Sequence, residues 1–251
     1  MNRIITISTA VAVAATGTYL YRIQSHISPV PIHRISSSPQ IPDALKQSKA
    51  ALAVNPNGHV TITDTRFTTL ELPNRLSDEQ ILARFVKGFF GGYVFGPESG
   101  VLRAVGKDLM RFERLKDIPV SSYIWAQSAL SRETVPPLHS VLFGVFRVAD
   151  CHFQSPGDEK YPELSQGGSY SYIDVAFGSE KGPIAGVHRF SVTRDGRVKE
   201  DGGKNESVTI EFAHVGCNPK ENKPLKPDFV QTLHLWYAML LFREGVAEVM
   251  K

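Results

Sequence analysis

His188 and His214 are the two residues of this chain best placed to do chemistry. Each lies in a stretch that alternates like a half-buried strand, Ile184–Thr193 and Ser207–Val215. His214 shares a face with Val208, Ile210 and Phe212. His188 shares one with Gly186 and Phe190. If these apolar sets face inward, two imidazoles stand among apolar neighbours. A buried imidazole needs a hydrogen-bond partner, and its ordinary pKa suits proton transfer near neutrality. The pair could meet a ligand carbonyl or hydroxyl, as acid and base. The competing reading is two satisfied structural residues near strand ends, since burial on a strand is not evidence of catalysis.

Other polar groups carry weaker signals. Asp150 and His152 are two apart, so they share a face and could orient a proton, or mark a solvated strand end near Ser155-Pro156-Gly157. Arg147 and Arg189 could hold a carboxylate in a deep pocket, or lie on a solvent face. Ser140, Ser169 and Ser171 lack a nucleophile-elbow context, which argues against a hydrolase. Cys151 and Cys217 are the only cysteines, too few for a disulfide scaffold; they could form one bridge, and otherwise read as buried free thiols. No CxxC, HExxH or His-x-His supplies paired metal ligands, so no metal or cofactor is expected.

The elements that would position these residues belong to an ordinary globular composition, 42% hydrophobic and 21% charged. The net charge is +3 with basic residues scattered, which gives no footprint for nucleic acid. Ile4–Tyr21 carries no charge and lies between Arg3 and Arg22. As a helix it would span about 27 Å, close to a bilayer's hydrocarbon thickness. A single-pass anchor, a signal peptide cut near Ala12-Val13-Ala14 and an organellar transit segment compete, against an apolar N-terminus of a soluble protein. The expected location is therefore an endomembrane or mitochondrial membrane, or secretion if the segment is removed. Residues 23–58, broken by Pro29, Pro31, Pro39 and Pro42, read as a linker between this segment (1–22) and a domain over 59–251. Asn205-Glu206-Ser207 is a glycosylation sequon that matters only in a secretory lumen.

Within the domain, Val60–Leu72 reads as a strand. Ser77 and Gln80 form a capping-box pattern before a helix with Ile81, Leu82, Phe85, Val86 and Phe89 on one side, broken at Gly91-Gly92. A second helix is expected from about Glu98 to Leu109. Ser121–Leu130 is ambiguous. His139–Phe153 reads as one well-buried strand, followed by Ser169–Phe177, Ile184–Thr193 and Ser207–Val215. Turn signals separate them: Ser155-Pro156-Gly157-Asp158, Gly167-Gly168, Lys181-Gly182-Pro183 and Asp195-Gly196. Their close spacing favours antiparallel hairpins. A helix over Phe229–Met250, capped by Asp228, ends the chain. It is apolar on nearly every side from Leu233 to Phe242, as in a helix buried on two sides or one that meets a lid, partner or membrane.

This order gives an α+β fold with two short helices after the first strand. It resembles the helix-grip domain of the START-like superfamily, in which an antiparallel sheet wraps around a long C-terminal helix. His188-Arg189-Phe190-Ser191-Val192 with Val208-Thr209-Ile210-Glu211-Phe212 is similar to the penultimate strands of a bacterial and plant START-like family. Phe89-Phe90-Gly91-Gly92 is similar to a segment of fungal proteins of uncharacterised function. The resemblance covers residues 59–251. It implies an apolar cavity for a lipid-like or polyketide-like molecule, lined by Phe190, Ile210, Phe212, Trp236 and Tyr237, with His188 and His214 inside. The activity implied is binding of a hydrophobic small molecule beside a membrane, or cyclisation or isomerisation using the histidines. A different class is an organellar membrane assembly protein that docks a partner on the last helix.

Overall fold

The computed structural model describes residues 2–73, 76–154, 168–194, 205–225 and 228–251. The turn signals at Ser155–Asp158, Gly167 and Asp195-Gly196 lie outside them. The fold is α+β, with one eight-stranded mixed sheet and a long C-terminal helix. Along the chain come α1 (Asn2–Ile27), β1 (Ser36–Ser38), α2 (Asp43–Lys46), α3 (Lys49–Val54) and β2 (Thr61–Pro73). Then follow α4 (Asp78–Gly91), α5 (Gly96–Val105), β3 (Tyr123–Ile124), β4 (Val141–Leu142), β5 (Phe146–His152), β6 (Ser169–Gly178), β7 (Ala185–Arg194), β8 (Asn205–Cys217) and α6 (Asp228–Val249). The strand order is β1-β2-β8-β7-β6-β5-β4-β3, antiparallel throughout except for the parallel pair β3/β4.

Local chemistry accounts for several boundaries. The Ser77 hydroxyl accepts from Gln80 N–H, and the Gln80 side chain accepts from Ser77 N–H, so α4 begins in a complete capping box. The expected single strand His139–Phe153 is instead a hairpin. Phe143 (φ 53°) and Gly144 (φ 74°) both take left-handed backbone, and Val145 N–H donates to Leu142 O. Two consecutive positive φ angles turn the chain back as a primed hairpin turn does. Full burial of the Phe143 ring offsets its backbone cost.

The sheet is covered on both faces. On one, Ile173, Val175, Phe190, Val192, Val208, Ile210 and Phe212 pack with α4 and α6. The helices meet closely there because of glycine. A Cβ on Gly88 of α4 would lie 2.7 Å from the Gly245 Cα of α6, and one on Gly245 would lie 2.5 Å from the Phe85 ring. On the other face, Ala176, Val187 and Ala213 pack with Leu45, Ala50 and Val54 of α2 and α3, and with Met110, Phe112 and Leu115. The stretch read as a linker thus carries β1, α2 and α3, an edge strand and most of a second layer.

The N-terminal segment is also part of the body. Ile27 is buried, and Ile23 packs on the main core. Arg243 of α6 donates to Val30 O (2.7 Å) and Ile27 O (3.2 Å), tying down the end of α1. Glu244, fully buried, accepts from Tyr93 N–H and Val94 N–H (2.7 Å each), and its Oε1 lies 3.0 Å from His26 Nδ1. A Cβ on Gly92 would meet the Glu244 carboxyl carbon at 2.2 Å, so the second glycine of the Phe-Phe-Gly-Gly segment makes room for this carboxylate. Among the described residues no helix is long and apolar enough to cross a membrane. That overturns the transmembrane helix and the single-pass anchor expected from Ile4–Tyr21. The last turns of α1 carry polar His26 and are committed to protein rather than lipid.

Candidate functional site

The two histidines do come together. His188 on β7 and His214 on β8 are direct register partners, and Asp64 on β2 is the partner of His214 on its other side. Cross-strand partners share a face, so Asp64, His214 and His188 form one row across the sheet. The imidazole centroids lie 5.1 Å apart. His234, on the first half of α6, completes the group at 4.9 Å from His214. Phenylalanines enclose His188: Phe177 at 4.6 Å, Phe212 at 5.1 Å, and Phe89 and Phe146 at 6.1 Å each. Phe177 also stacks on His214 at 5.5 Å.

The electrostatics follow from this enclosure. Neither His188 nor His214 is more than 6% exposed, and among the described residues none of their four ring nitrogens has a hydrogen-bond partner. Burial, with His234 and Arg66 nearby, pulls the pKa of His214 from 6.5 down to about 3. Burial, with His214 and His234 nearby, holds His188 well below its ordinary value. Both rings are therefore neutral near pH 7, each with one N–H donor and one bare acceptor. Gly216 leaves space beside them, since a Cβ there would lie 3.0 Å from His214 Nε2.

An ion pair holds α6 over the histidines. Arg66, the register partner of Phe212, pairs with Asp64 and donates from Nη2 to Leu235 O at 2.9 Å. Burial raises Asp64 and lowers Arg66 despite the pairing. On the neighbouring helix, Glu98 of α5 accepts from the Tyr237 hydroxyl at 2.7 Å, which fastens α5 to α6. Burial pushes the Tyr237 pKa up, and the Glu98 carboxylate adds to the shift. Leu102, one helical turn beyond Glu98, is partly exposed, as are Phe177, Tyr237 and Leu240. All four pack against the main core, and of them Phe177 also touches both histidines.

The other expected site residues divide. Phe190, Ile210 and Phe212 are core: Phe212 lies 5.1 Å from Phe89 and 5.4 Å from Phe190, and these rings fill the space between sheet and helices. Only Phe212 also reaches His188. Tyr237 packs on the main core and hydrogen-bonds Glu98, whereas Trp236 is 67% exposed. Phe229, Leu233 and Trp236, at i, i+4 and i+7, form an outward apolar stripe on α6.

The remaining polar residues lie away from the histidines. Arg189 and Asp174 form a bidentate pair (2.7 Å for both bonds), fully buried on the opposite face, with the guanidinium 4.0 Å from the Tyr172 ring centroid. Arg147 is buried on that face too, so α2, α3 and the 108–120 segment replace the expected solvent. Asp150 accepts from the Tyr172 hydroxyl, and a β-bulge between Val148 and Asp150 shifts Asp150 and His152 to the Arg189 face. Ser169 and Ser171 donate to Asp78 at the start of α4. Ser140 is fully buried. Cys151 and Cys217 are free thiols, Cys151 half-buried and Cys217 buried, and burial pushes both upward. Among the described residues no group of three or more His, Cys, Asp or Glu could hold a metal ion.

His234, Asp64, Arg66 and Phe177 belong to the site and were not singled out from sequence. Period two offered a signal for Asp64 and Arg66, which alternate in phase with the core residues Leu70 and Leu72. His234 alternates with the inner stripe of Ala238 and Leu241 at helical spacing, but nothing local says which stripe faces the sheet. No protein-family model matches the chain, and neither a curated protein nor a solved structure matches it.

Proposed function

We propose that this protein binds an apolar small molecule carrying a hydroxyl or carbonyl. Its oxygen would meet His188 and His214, and its apolar body would run out beside Phe177 and the first half of α6. The observation that carries the reading is the set of four partnerless nitrogens on two enclosed imidazoles. Buried polar groups are nearly always hydrogen-bonded, and the cost of leaving one unmade is about 1–3 kcal/mol. A neutral imidazole pair offers a donor and an acceptor together, which suits a hydroxyl (both) or a carbonyl (acceptor only). A formal charge in the ligand would be disfavoured among the phenylalanines. The long C-terminal helix lying on the antiparallel part of the sheet supports treating this side as a helix-grip face; because phenylalanine rings fill the space between them, a ligand would enter as the first half of α6 lifts from the histidines.

Binding is favoured over acid–base catalysis by the same electrostatics. With a pKa of about 3, His214 is protonated in roughly one molecule in ten thousand at pH 7. Such a ring is a weak base, far from the pKa that efficient proton transfer requires. It remains a good hydrogen-bonding group.

The test uses Nile red, a neutral apolar dye with a carbonyl, titrated by fluorescence against the wild type and the His188→Leu/His214→Leu variant. The variant is more apolar but cannot hydrogen-bond. A fall of about tenfold in affinity is expected, the equivalent of one such bond. Equal or tighter binding by the variant would sink the assignment. Native mass spectrometry of protein from its own host adds a second measure. A small-molecule adduct on the wild type that the variant loses supports the reading; the same adduct on both contradicts it.

A further inference from the structure

A cleft of about 390 Å³ opens on the side of the sheet opposite the histidines, and Arg147 lines it. Arg147 is a β5 residue, register partner of Val141 on β4 and Ala176 on β6, so it projects among the residues of the second core. It is 6% exposed. Its Nη1 donates to Leu115 O (3.2 Å) and its Nη2 to Ile118 O (2.7 Å), while Nε has no partner. A guanidinium has five N–H donors, so three are left over.

The charge balance is also incomplete. Around the cleft, Lys116 pairs with Glu113, and Arg111 lies 3.8 Å from Asp108. Asp108 also accepts from Met110 N–H and the Tyr123 hydroxyl, and Glu180 accepts from Glu113 N–H. Among the described residues no carboxylate lies within ion-pair distance of Arg147, and carbonyls are its only partners. Asp108 acts on Arg147 only at longer range, without an ion pair; a buried cation with no direct counter-charge is costly, and a carboxylate is the geometric complement of its free N–H groups. Lys181, exposed at the rim, adds a second positive group.

We propose that this cleft binds a small monocarboxylate with an apolar tail, its carboxylate on Arg147. The tail fits the walls formed by Met110, Phe112, Leu115 and Val120. Asp108, Glu113 and Glu180 border the same space and repel a dianion, which sets the ligand apart from a phosphate. The volume lies within the usual range for small-molecule sites. This site is on the face opposite the histidines and stands independently of the function proposed for them.

Isothermal titration calorimetry of the full chain with hexanoate tests it, with inorganic phosphate as the second probe. Hexanoate is expected to bind with a Kd below about 5 mM, and phosphate at least about tenfold more weakly. Arg147→Lys replaces the fork with a point charge and is expected to weaken hexanoate about tenfold. Lys181→Glu, on an exposed residue that leaves the fold intact, is expected to weaken it about threefold and to reduce the weakening of hexanoate binding by added salt. If Arg147→Lys does not fold, Lys181→Glu with the two probes decides the matter. No hexanoate binding by the wild type, phosphate binding as tight as hexanoate, or indifference to Lys181→Glu would overturn the proposal.

Discussion

Replacing His214 by Leu should make the protein more stable and less sensitive to acid. The ring is buried, neutral and without hydrogen bonds, so at pH 7.5 its removal relieves an unsatisfied polar group at nearly constant volume. A gain of about 1 kcal/mol or more is expected. The pH effect has a definite sign. Because the folded-state pKa lies below the unfolded one, the unfolded chain binds more protons between about pH 3 and pH 6.5. The stability tied to His214 is thus fully present above 6.5 and lost as pH falls toward 3. With values of about 3 and 6.5, the loss from pH 7.5 to pH 5.0 comes to about 2 kcal/mol. Asp64 and Asp174 are shifted upward and act in the opposite direction, so the informative quantity is wild type against variant. Arg66, Asp64, His188 and His234 face the ring from β2, β7 and α6. Loss of His214 also relieves His188, whose shift it deepens, and this adds in the same direction. Urea unfolding at the two pH values measures the difference. Equal acid sensitivity in the two proteins, or a variant less stable at pH 7.5, would mean that the ring is solvated or hydrogen-bonded and would refute the reasoning.

Three further outcomes are expected. Asp174→Asn should destabilise by about 3–5 kcal/mol in urea unfolding because it leaves Arg189 charged and buried, whereas Asp174→Leu with Arg189→Met should cost much less. A cost for the double variant as large as for Asp174→Asn would contradict this. Gly88→Ala should lower stability by about 1–3 kcal/mol, since its methyl would meet α6 backbone at 2.7 Å; an unchanged Tm would show that the helices are not in contact there. Trp236→Ser should change stability by no more than about 0.5 kcal/mol, because the ring is 67% exposed, and a larger loss would place it in a packed environment.

Much of the architecture is local and therefore legible. The Ser77 capping box depends on residues three apart, and the chain alone announces it. Period two puts His188 with Phe190, and His214 with Ile210 and Phe212, whatever the rest of the protein does. The register then makes the histidines partners, which two separate strands could not specify. The interior is fuller than expected because Phe85, Phe89 and Phe90 on α4 project into the space assigned to a cavity, and Gly88 and Gly245 let the helices close over it.

The faces of Arg147 and Arg189 show where legibility stops. Alternation separates Arg189 from the His188 side of its strand, but it cannot say that α2, α3 and the 108–120 segment cover the other side, or that Arg147 lies there too. An arginine facing water and one buried on Asp174 have the same local pattern. The same holds for α1, whose last turns acquire a protein environment through Arg243 and Glu244 more than two hundred residues away. Which residues share a face is set by backbone geometry over a few residues. What covers that face is set by packing between distant segments, and only the tertiary structure decides it. That His188 and His214 each join the apolar side of their own strands could be read from sequence; that they are register partners, that their nitrogens lack partners among the described residues, and that His234 and Phe177 enclose them, could not.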